Sequence, residues 1–495
     1  AAIAADPEAG DVAELRGLAR ETLTAAGQAA ASLALGPEAE RYLEQAAELA
    51  DDDLEQAALF ERAGAALLRS GDLGRAEHRL RQAVELAQAS GRPLGGSAAV
   101  ALASLLRLGG HLAEAERLLE PFGADGAASE DVVVRAEALA ELAACRIFAG
   151  RPREAAPVLE QALLTLEEVQ AWPALTSALI TRAVYLIYAG RRQEGTAVLG
   201  HARRLASEHD LPFLALRASY NLAANLIEEN AFEAAVTEVE QALVLARERG
   251  DRSWDERMRQ QSLTPLVILG RWDEALGAAV PLLTSHEDNN LIGSTMALAE
   301  IAEARDDEVL LAQCRAAAEA HLDSRHTDLR CAAAVTVARD ELRRGVPDAA
   351  LALVRPVLDE QAYAGEIRAL AYAVAAESAL AMGDEALIVE LEAWCRGLPP
   401  VRRPALLVAG RERLLAELAH RRGHTEAAIA HEQSAIDRLR TVGARPLLAL
   451  ALTDRWRRRQ DAEAQAEAEE IMAELGAARW LAALRGGDTV TARPT

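Results

Sequence analysis

The 495-residue chain contains no lysine; all 53 of its basic side chains are arginine. That absence excludes two chemistries. A phosphate-binding loop of the Gly-x-x-x-x-Gly-Lys type cannot be built, and no Schiff base can form on a lysine amine. Aromatic residues are scarce as well, at 3%, although 51% of the chain is hydrophobic. A thick core around bulky rings is excluded. Many thin helices are favoured, because alanine is the best helix former and lets backbones approach. The four cysteines (Cys145, Cys314, Cys331, Cys395) lie far apart with no Cys-x-x-Cys pair. This is no disulfide framework, and free thiols fit a reducing compartment, so a cytoplasmic location is expected. No apolar run approaches the ~18–20 residues of a membrane span, and no sustained alternation of β-branched and polar residues marks a strand. Basic surface is also lacking: the net charge is −24, which argues against a nucleic-acid partner. The first residues, "AAIAADPEAG", have no basic n-region, no long apolar stretch and no initiator methionine. They read as a cut edge of a longer polypeptide and not as a signal peptide.

What the chain has is a regular gap of five between two small residues. Gly71 and Ala76 are followed by Gly110 and Ala115, Gly150 and Ala155, Gly190 and Gly195, Asn230 and Ala235, and Gly270 and Ala275. The second members step by 39, 40, 40, 40 and 40 residues. Within one period, Leu214, Leu216, Leu222, Ala223 and Leu226 mark one helix, and Val236, Val239, Leu243 and Leu245 a second. Asn230 and Ala231 form the turn, and Gly250 stands at a helix C-cap. The small residue falls in the first turn of the second helix, where two antiparallel helices approach most closely. Four residues on stand Leu80, Leu119, Leu159, Leu199 and Val239. Seven on stand Ala83, Phe122, Ala162, Ala202, Ala242 and Leu282. The pattern continues with decay upstream at Gly36 and Ala39, and downstream at Gly345 and Ala350 and at Gly423 and Ala428. Degenerate hairpins fit "EARDDEVLLAQCRAAAEAH", "AMGDEALIVELEAWC" and the last helices. The fold class is therefore all-α, a stack of about twelve antiparallel helix hairpins with a period near 40 residues. Polar "SHEDNNLIGS" interrupts the period and sets the expected boundaries. These are an N-terminal array over 1–284, a more degenerate one over 285–484, and a disordered tail over 485–495. "GLPPVRRP" (397–404) is a second break.

This spacing resembles tetratricopeptide repeats. Gly64 with Ala76, and Gly27 with Ala39, match that family's pairing of small residues between its two helices, and Phe60 stands at its tryptophan position. The units depart from the family in length, about 40 residues against about 34, and in mostly lacking the closing proline. The resemblance implies a right-handed superhelical solenoid. Longer segments, from "GPEAERYLEQAAELADDD" to "RERGDRSWDERMRQQSLTPLVILGRWDEAL", look like the C-terminal repeat region of bacterial multidomain proteins. Those carry a class III adenylate/guanylate cyclase domain, then an ATPase domain, then such an array. Related signalling ATPases end in a DNA-binding helix-turn-helix, and no such module follows Leu484 here. The resemblance thus implies catalytic parts upstream and none among these residues.

Several clusters invite a sharper reading. "DDDLE" (51–55) is similar to the aspartate-rich metal motif of helical terpene cyclases, yet it sits where Asp caps a helix. His420 and His424 have a metal-ligand spacing, with Cys395 or His431 as further candidates, but Gly423 puts a turn between them. "DRWRRRQ" (454–460) is the densest basic cluster. It suits either an acidic partner or the solvated face of a helix. The resemblance maps groove-lining positions to Arg217, Tyr220, Arg257 and Gln260, where arginines and a tyrosine could grip a peptide. Asn221 and Asn225 could bond between repeats instead, and Trp254 and Trp272 read as packing residues. The expectation is a noncatalytic interaction or sensor arm of a signalling protein, with no cofactor, no metal, no catalytic residue and no nucleic-acid or membrane partner. Its partner would be a protein or peptide in the concave groove, or upstream domains of the same polypeptide. The rivals are an all-α enzyme, which needs inward-facing carboxylates around a closed cavity, and a passive assembly scaffold.

Overall fold

The computed structural model describes residues 12–33, 35–90, 96–123, 131–285, 288–360 and 366–486. Among the described residues are 25 α-helices and no strand. They follow one another as hairpins. The first five pairs are α1 (Val12–Ser32) with α2 (Gly36–Ala47), α3 (Asp53–Ser70) with α4 (Leu73–Ala89), α5 (Gly96–Leu108) with α6 (Leu112–Leu119), α7 (Val132–Phe148) with α8 (Pro152–Glu168), and α9 (Trp172–Tyr188) with α10 (Arg192–Glu208). Then come α11 (Pro212–Glu228) with α12 (Phe232–Glu248), α13 (Arg252–Leu269) with α14 (Trp272–Ala279), and α15 (Asp288–Arg305) with α16 (Glu308–Glu319). The last pairs are α17 (Thr327–Arg343) with α18 (Pro347–Asp359), α19 (Glu366–Met382) with α20 (Glu385–Gly397), α21 (Ala405–Arg421) with α22 (Thr425–Thr441), and α23 (Arg445–Arg459) with α24 (Ala462–Leu475). A single helix, α25 (Ala478–Gly486), ends the array. The described residues thus form an all-α array of repeated helix hairpins, and twelve hairpins match the expected number. The expected tail, 485–495, lies outside the described residues from 487 onward.

The turn between the two helices of a hairpin needs a left-handed residue. Gly71, Gly110, Gly150, Gly190, Asn230 and Gly270 all have positive φ, from 61° to 85°. At the first, the amide of Gly71 donates to the carbonyl of Leu68 at 3.3 Å, and that of Asp72 to Leu67 at 3.1 Å. These bonds satisfy carbonyls the helix leaves open. The beat persists through Asp306, Gly345, Gly383, Gly423 and Gln460, all at positive φ, with glycine replaced at the first and the last. Steps from 270 are then 36, 39, 38, 40 and 37 residues.

The small residue five after each turn does the expected work. Ala76, Ala115, Ala155, Ala235 and Ala275 are buried, as is Gly195. A Cβ on Gly195 would stand 2.6 Å from Ile187 Cγ1 and 3.0 Å from the Ala183 carbonyl. One on Gly64 would stand 2.6 Å from Leu80 Cγ and 3.3 Å from the Ala76 carbonyl. Backbone meets backbone here, so a larger side chain forces the helices apart.

The chain divides into two compact units, Ala1–Ala218 and Ser219–Thr495. The division falls inside α11, whereas the composition break lies at Ser285. In the first unit the hairpins stack in order, with the leading helices α3, α5, α7 and α9 each touching the next. In the second unit α13, α15, α17, α19 and α21 do the same, and then the chain returns: α23 packs on α13, and α25 on α15. One apolar cluster joins Phe232, Trp272 and Ala302 to Leu448, Met472 and Trp480. Trp272 and Trp480 meet edge to face with centroids 5.8 Å apart. Arg305 Nε donates to the Leu475 carbonyl at 3.1 Å. Within this unit the last helices therefore pack back on earlier ones, beyond simple stacking of neighbours.

Candidate interaction site

The four expected groove residues fall in two places. Arg217, in the first unit, donates through Nη1 to Ser177 Oγ at 3.0 Å. Burial and nearby Arg107 hold its guanidinium below the ordinary value, with Glu141 opposing. In the second unit, Tyr220 meets Trp254 edge to face at 6.1 Å, and the Arg257 guanidinium lies 5.6 Å from the same indole. Trp254 is buried, and so is Trp272, as packing residues should be. Gln260 lies against α15: a Cβ on Gly293 would stand 2.5 Å from its Nε2. Asn225 is buried, and its Nδ2 donates to Glu229 at 3.4 Å, within its own helix segment.

A row that the sequence reading passed over is more exposed. Leu108, Phe148 and Tyr188 each sit two residues before a turn glycine, at the end of α5, α7 and α9. They are 56%, 44% and 49% exposed. Phe148 and Tyr188 touch edge to face at 6.0 Å, and the Arg107 guanidinium lies 5.3 Å from the Phe148 ring. Arg107 Nε donates to Glu141 Oε1 at 2.5 Å. Burial acts against the Arg107 charge, but Glu141 outweighs it and holds the group above its ordinary value. Arg69 occupies the equivalent place on α3, two before Gly71. Partial burial lowers its value, and no carboxylate pairs with it among the described residues. The signal was available: the spacing 69, 108, 148, 188 has the same beat as the turns.

The other clusters resolve into structure. Asp52 caps α3, accepting the Glu55 amide at 2.8 Å, while Glu55 accepts the Asp51 amide at 2.9 Å. Arg20 bridges Asp51 at 2.5 Å and Glu55 at 2.8 Å. His431 Nδ1 lies 2.6 Å from Glu412 Oε2, Cys395 is buried, and no group of three candidate metal ligands occurs among the described residues. Much of the charge of the basic run 454–460 is met within the chain. Arg458 pairs with Glu417 at 3.0 Å and Glu432 at 3.1 Å, and Asp454 accepts Arg413 at 2.7 Å. The cluster ties α23 to α21 and α22.

A cavity of about 60 Å³ lies inside the second unit, lined by Glu300, Glu303, Arg339, Glu377, Leu447 and Trp480 among others. Each carboxylate has an arginine: Arg339 at 2.9 Å from Glu300, Arg479 at 3.7 Å from Glu303, and Arg413 at 2.5 Å from Glu377. Trp480 Nε1 donates to Glu303 at 3.3 Å. Burial nonetheless pushes Glu303 up to about 7, against the pull of Arg339, Arg479 and the indole.

No known family model matches the chain, and no curated protein matches its sequence. Solved structures similar to it include the APC/C hetero-tetramer Cut9–Hcn1, at 14% identity over 94% of this chain and 90% of that one, with a TM-score of 0.46. A signal-transduction ATPase with a tetratricopeptide repeat sensor from Pyrococcus horikoshii is 11% identical over 81% of this chain and 55% of its own, with a TM-score of 0.39. The Saccharomyces cerevisiae separase–securin complex is 11% identical over 89% and 36%, with a TM-score of 0.40. At these scores the function rests on this chain's own surfaces. Among the described residues, no helix is long and apolar enough to cross a membrane.

Proposed function

We propose that this chain is a noncatalytic protein-interaction arm of a larger cytoplasmic signalling protein, regulating or scaffolding an upstream nucleotide-using domain of the cyclase–ATPase kind. The observation that carries the reading is the exposed Leu108–Phe148–Tyr188 row, set at one register on the leading helices of consecutive hairpins. Solvent-facing apolar side chains aligned across repeats mark interaction surfaces. Arg217, Tyr220, Arg257 and Gln260 are secondary contact candidates. A bound partner acts by preferring one curvature of the array and so shifting the attached domain's equilibrium. The test is the reading frame upstream of Ala1. The account expects a cyclase or nucleotide-binding module there; a frame that encodes none overturns the signalling assignment.

A second reading has one observation in its favour. Glu303, pushed up to about 7 in a cavity with Glu300 and Glu377, lies in the range useful for general acid–base work. Against it, an arginine stands within ion-pair range of each carboxylate. Turnover of a nucleotide or prenyl substrate by this chain, abolished by Glu303→Gln, would favour the enzyme.

A further inference from the structure

We propose that the cavity between α15, α17, α19, α23 and α25 is a binding site for a small primary alkylammonium ion, with its nitrogen on Glu303 Oε2 and its hydrocarbon chain against Leu447, Leu450 and Trp480. The inference stands apart from the exposed row and from whatever precedes Ala1. Three features carry it: an acceptor without a donor, the walls around that acceptor, and the room beside it.

Three carboxylates line the cavity. Arg339 Nη2 stands 2.9 Å from Glu300 Oε2, and Arg413 Nη1 2.5 Å from Glu377 Oε1. Glu303 is the one without a cation at hydrogen-bond distance. Trp480 Nε1 donates to its Oε1 at 3.3 Å, and Arg479 Nε stands 3.7 Å from the same oxygen. Arg479 is also shared with Asp306 at 4.0 Å and with the Arg343 carbonyl at 3.2 Å. Among the described residues no donor reaches Glu303 Oε2. A carboxylate oxygen withdrawn from water without a donor costs free energy, and a ligand N–H recovers it.

The walls select the ligand. An anion finds the donors engaged: Arg339 with Glu300, Arg343 with Asp340 at 3.2 Å and Glu308 at 3.4 Å, and the Trp480 indole with Glu303 itself. No group of three residues suited to a metal ion occurs among the described residues. A neutral donor leaves the Glu303 charge unmatched. An ammonium group supplies hydrogen bond and charge together, and its other N–H groups have Glu300 and Glu377 in the same wall. The remaining wall is apolar, with Leu342, Val374, Leu447, Leu450 and Trp480, so a short alkyl chain gains by leaving water. The room suffices: about 60 Å³ is several times the ~10–15 Å³ one water needs. The ligand takes the place of a proton. Burial pushes Glu303 up to about 7, and a cation on Oε2 holds it ionised, so binding releases that proton. Facing Glu303 are Glu300 on its own helix, Arg339 and Arg343 from α17, Glu377 from α19 and Arg479 from α25, with Asp306 at the rim; α23 brings leucines.

The probe is n-butylammonium chloride, with n-butanol and sodium butyrate as controls and sodium chloride matching the ionic strength. Isothermal titration calorimetry with the full chain at pH 8 should show butylammonium binding about tenfold or more tightly than either control. A group titrating near 7 is about nine-tenths protonated at pH 6 and about one-tenth at pH 8, so the affinity should fall about tenfold at pH 6. At pH 6 the heats in phosphate and MOPS should differ by the ionisation of about one proton released. Glu303→Gln copies the protonated side chain in shape; it should abolish both the preference for the cation and the pH dependence, and an unchanged thermal melt at pH 6 confirms that it folds. A second readout needs no variant. Trp480 and Arg479 bring α25 onto Glu303, so at pH 8 butylammonium should raise hydrogen-exchange protection of the 478–486 amides and butanol should not. Butanol or butyrate binding as tightly, an affinity level in pH or greater at pH 6, no binding at tens of millimolar, or Glu303→Gln binding like the unaltered chain overturns the proposal. None of those results touches the Leu108–Phe148–Tyr188 row, so the interaction reading fails or stands separately.

Discussion

The seating of α25 should depend on pH, and the dependence can be worked from one side chain. Glu303 on α15 faces Trp480 and Arg479 from α25, Arg339 from α17, and Glu300 one turn away on its own helix. Asp306 stands 4.0 Å from Arg479 at the rim. Burial pushes Glu303 up to about 7 from the ordinary 4.5. With α25 released, water returns and the group falls back toward 4.5. The sign follows from linkage: the raised value belongs to the seated state, so protonation favours seating. The stabilisation is fully present below about 4.5 and is lost as pH rises through about 7. At 1.36 kcal/mol per tenfold in proton affinity, its full extent is about 3 kcal/mol. Hydrogen exchange of the 478–486 amides, corrected for the intrinsic rate and referred to amides of α3, reads the seating locally. Protection of α25 should fall between pH 5.5 and 8, and Glu303→Gln should flatten the profile. Protection that is level or rises with pH, or an unchanged slope in Glu303→Gln, refutes the reasoning.

Two substitutions test the packing rules. Gly64→Leu places a side chain against Leu80 and the Ala76 carbonyl; it should destabilise the first unit by ~1–3 kcal/mol, the cost of overpacking, read in a urea melt followed at α3 and α4. Asn230→Gly keeps the left-handed turn at φ 61° but removes the oxygen that accepts the Leu406 amide at 2.9 Å. It should cost about 1 kcal/mol, as loss of a helix cap does. Asn230→Ala adds the strain of positive φ, about 1 kcal/mol more; melting of Asn230→Gly equal to that of the unaltered chain would contradict the capping role.

Asn230 shows where the sequence stops being legible. In the repeat pattern it reads as a substitute for glycine, and its φ agrees. Its second task, capping α21 from 176 residues away, leaves no local trace. Asp306 and Gln460 hold the same left-handed turn, yet neither is a turn residue that glycine counting finds, so the second half seemed more degenerate than its backbone is. Small residues were legible because their reason is local: Ala76 must clear the helix beside it. The return of α23–α25 onto α13 and α15 was not, because it depends on pairs such as Trp272 and Trp480, far apart in sequence and alike in every composition measure. The arginines of 454–460 misled for a related reason. A charge run shows its sign in sequence, while Glu417 and Glu432, which neutralise it, come from other hairpins. The strip at Leu108, Phe148 and Tyr188 was visible in phase but not in exposure, since an apolar residue at a helix end reads as core until its surroundings are known.

The central claim is that the chain is a register of interchangeable hairpins, joined through small residues and left-handed turns at a period near 40. Deleting residues 151–190 tests it most directly. That removes α8 and α9 and joins Gly150 to Arg191, turn to turn, so that Ala143 meets Gly195 as it met Ala155. Circular dichroism should show unchanged helicity per residue and a cooperative melt, because the hairpins of the first unit stack in order, each on its neighbours. Deleting 151–170 instead removes one helix of the pair and should lose the cooperative transition. If both shortened chains fold alike, or both collapse, the account of a periodic array is wrong.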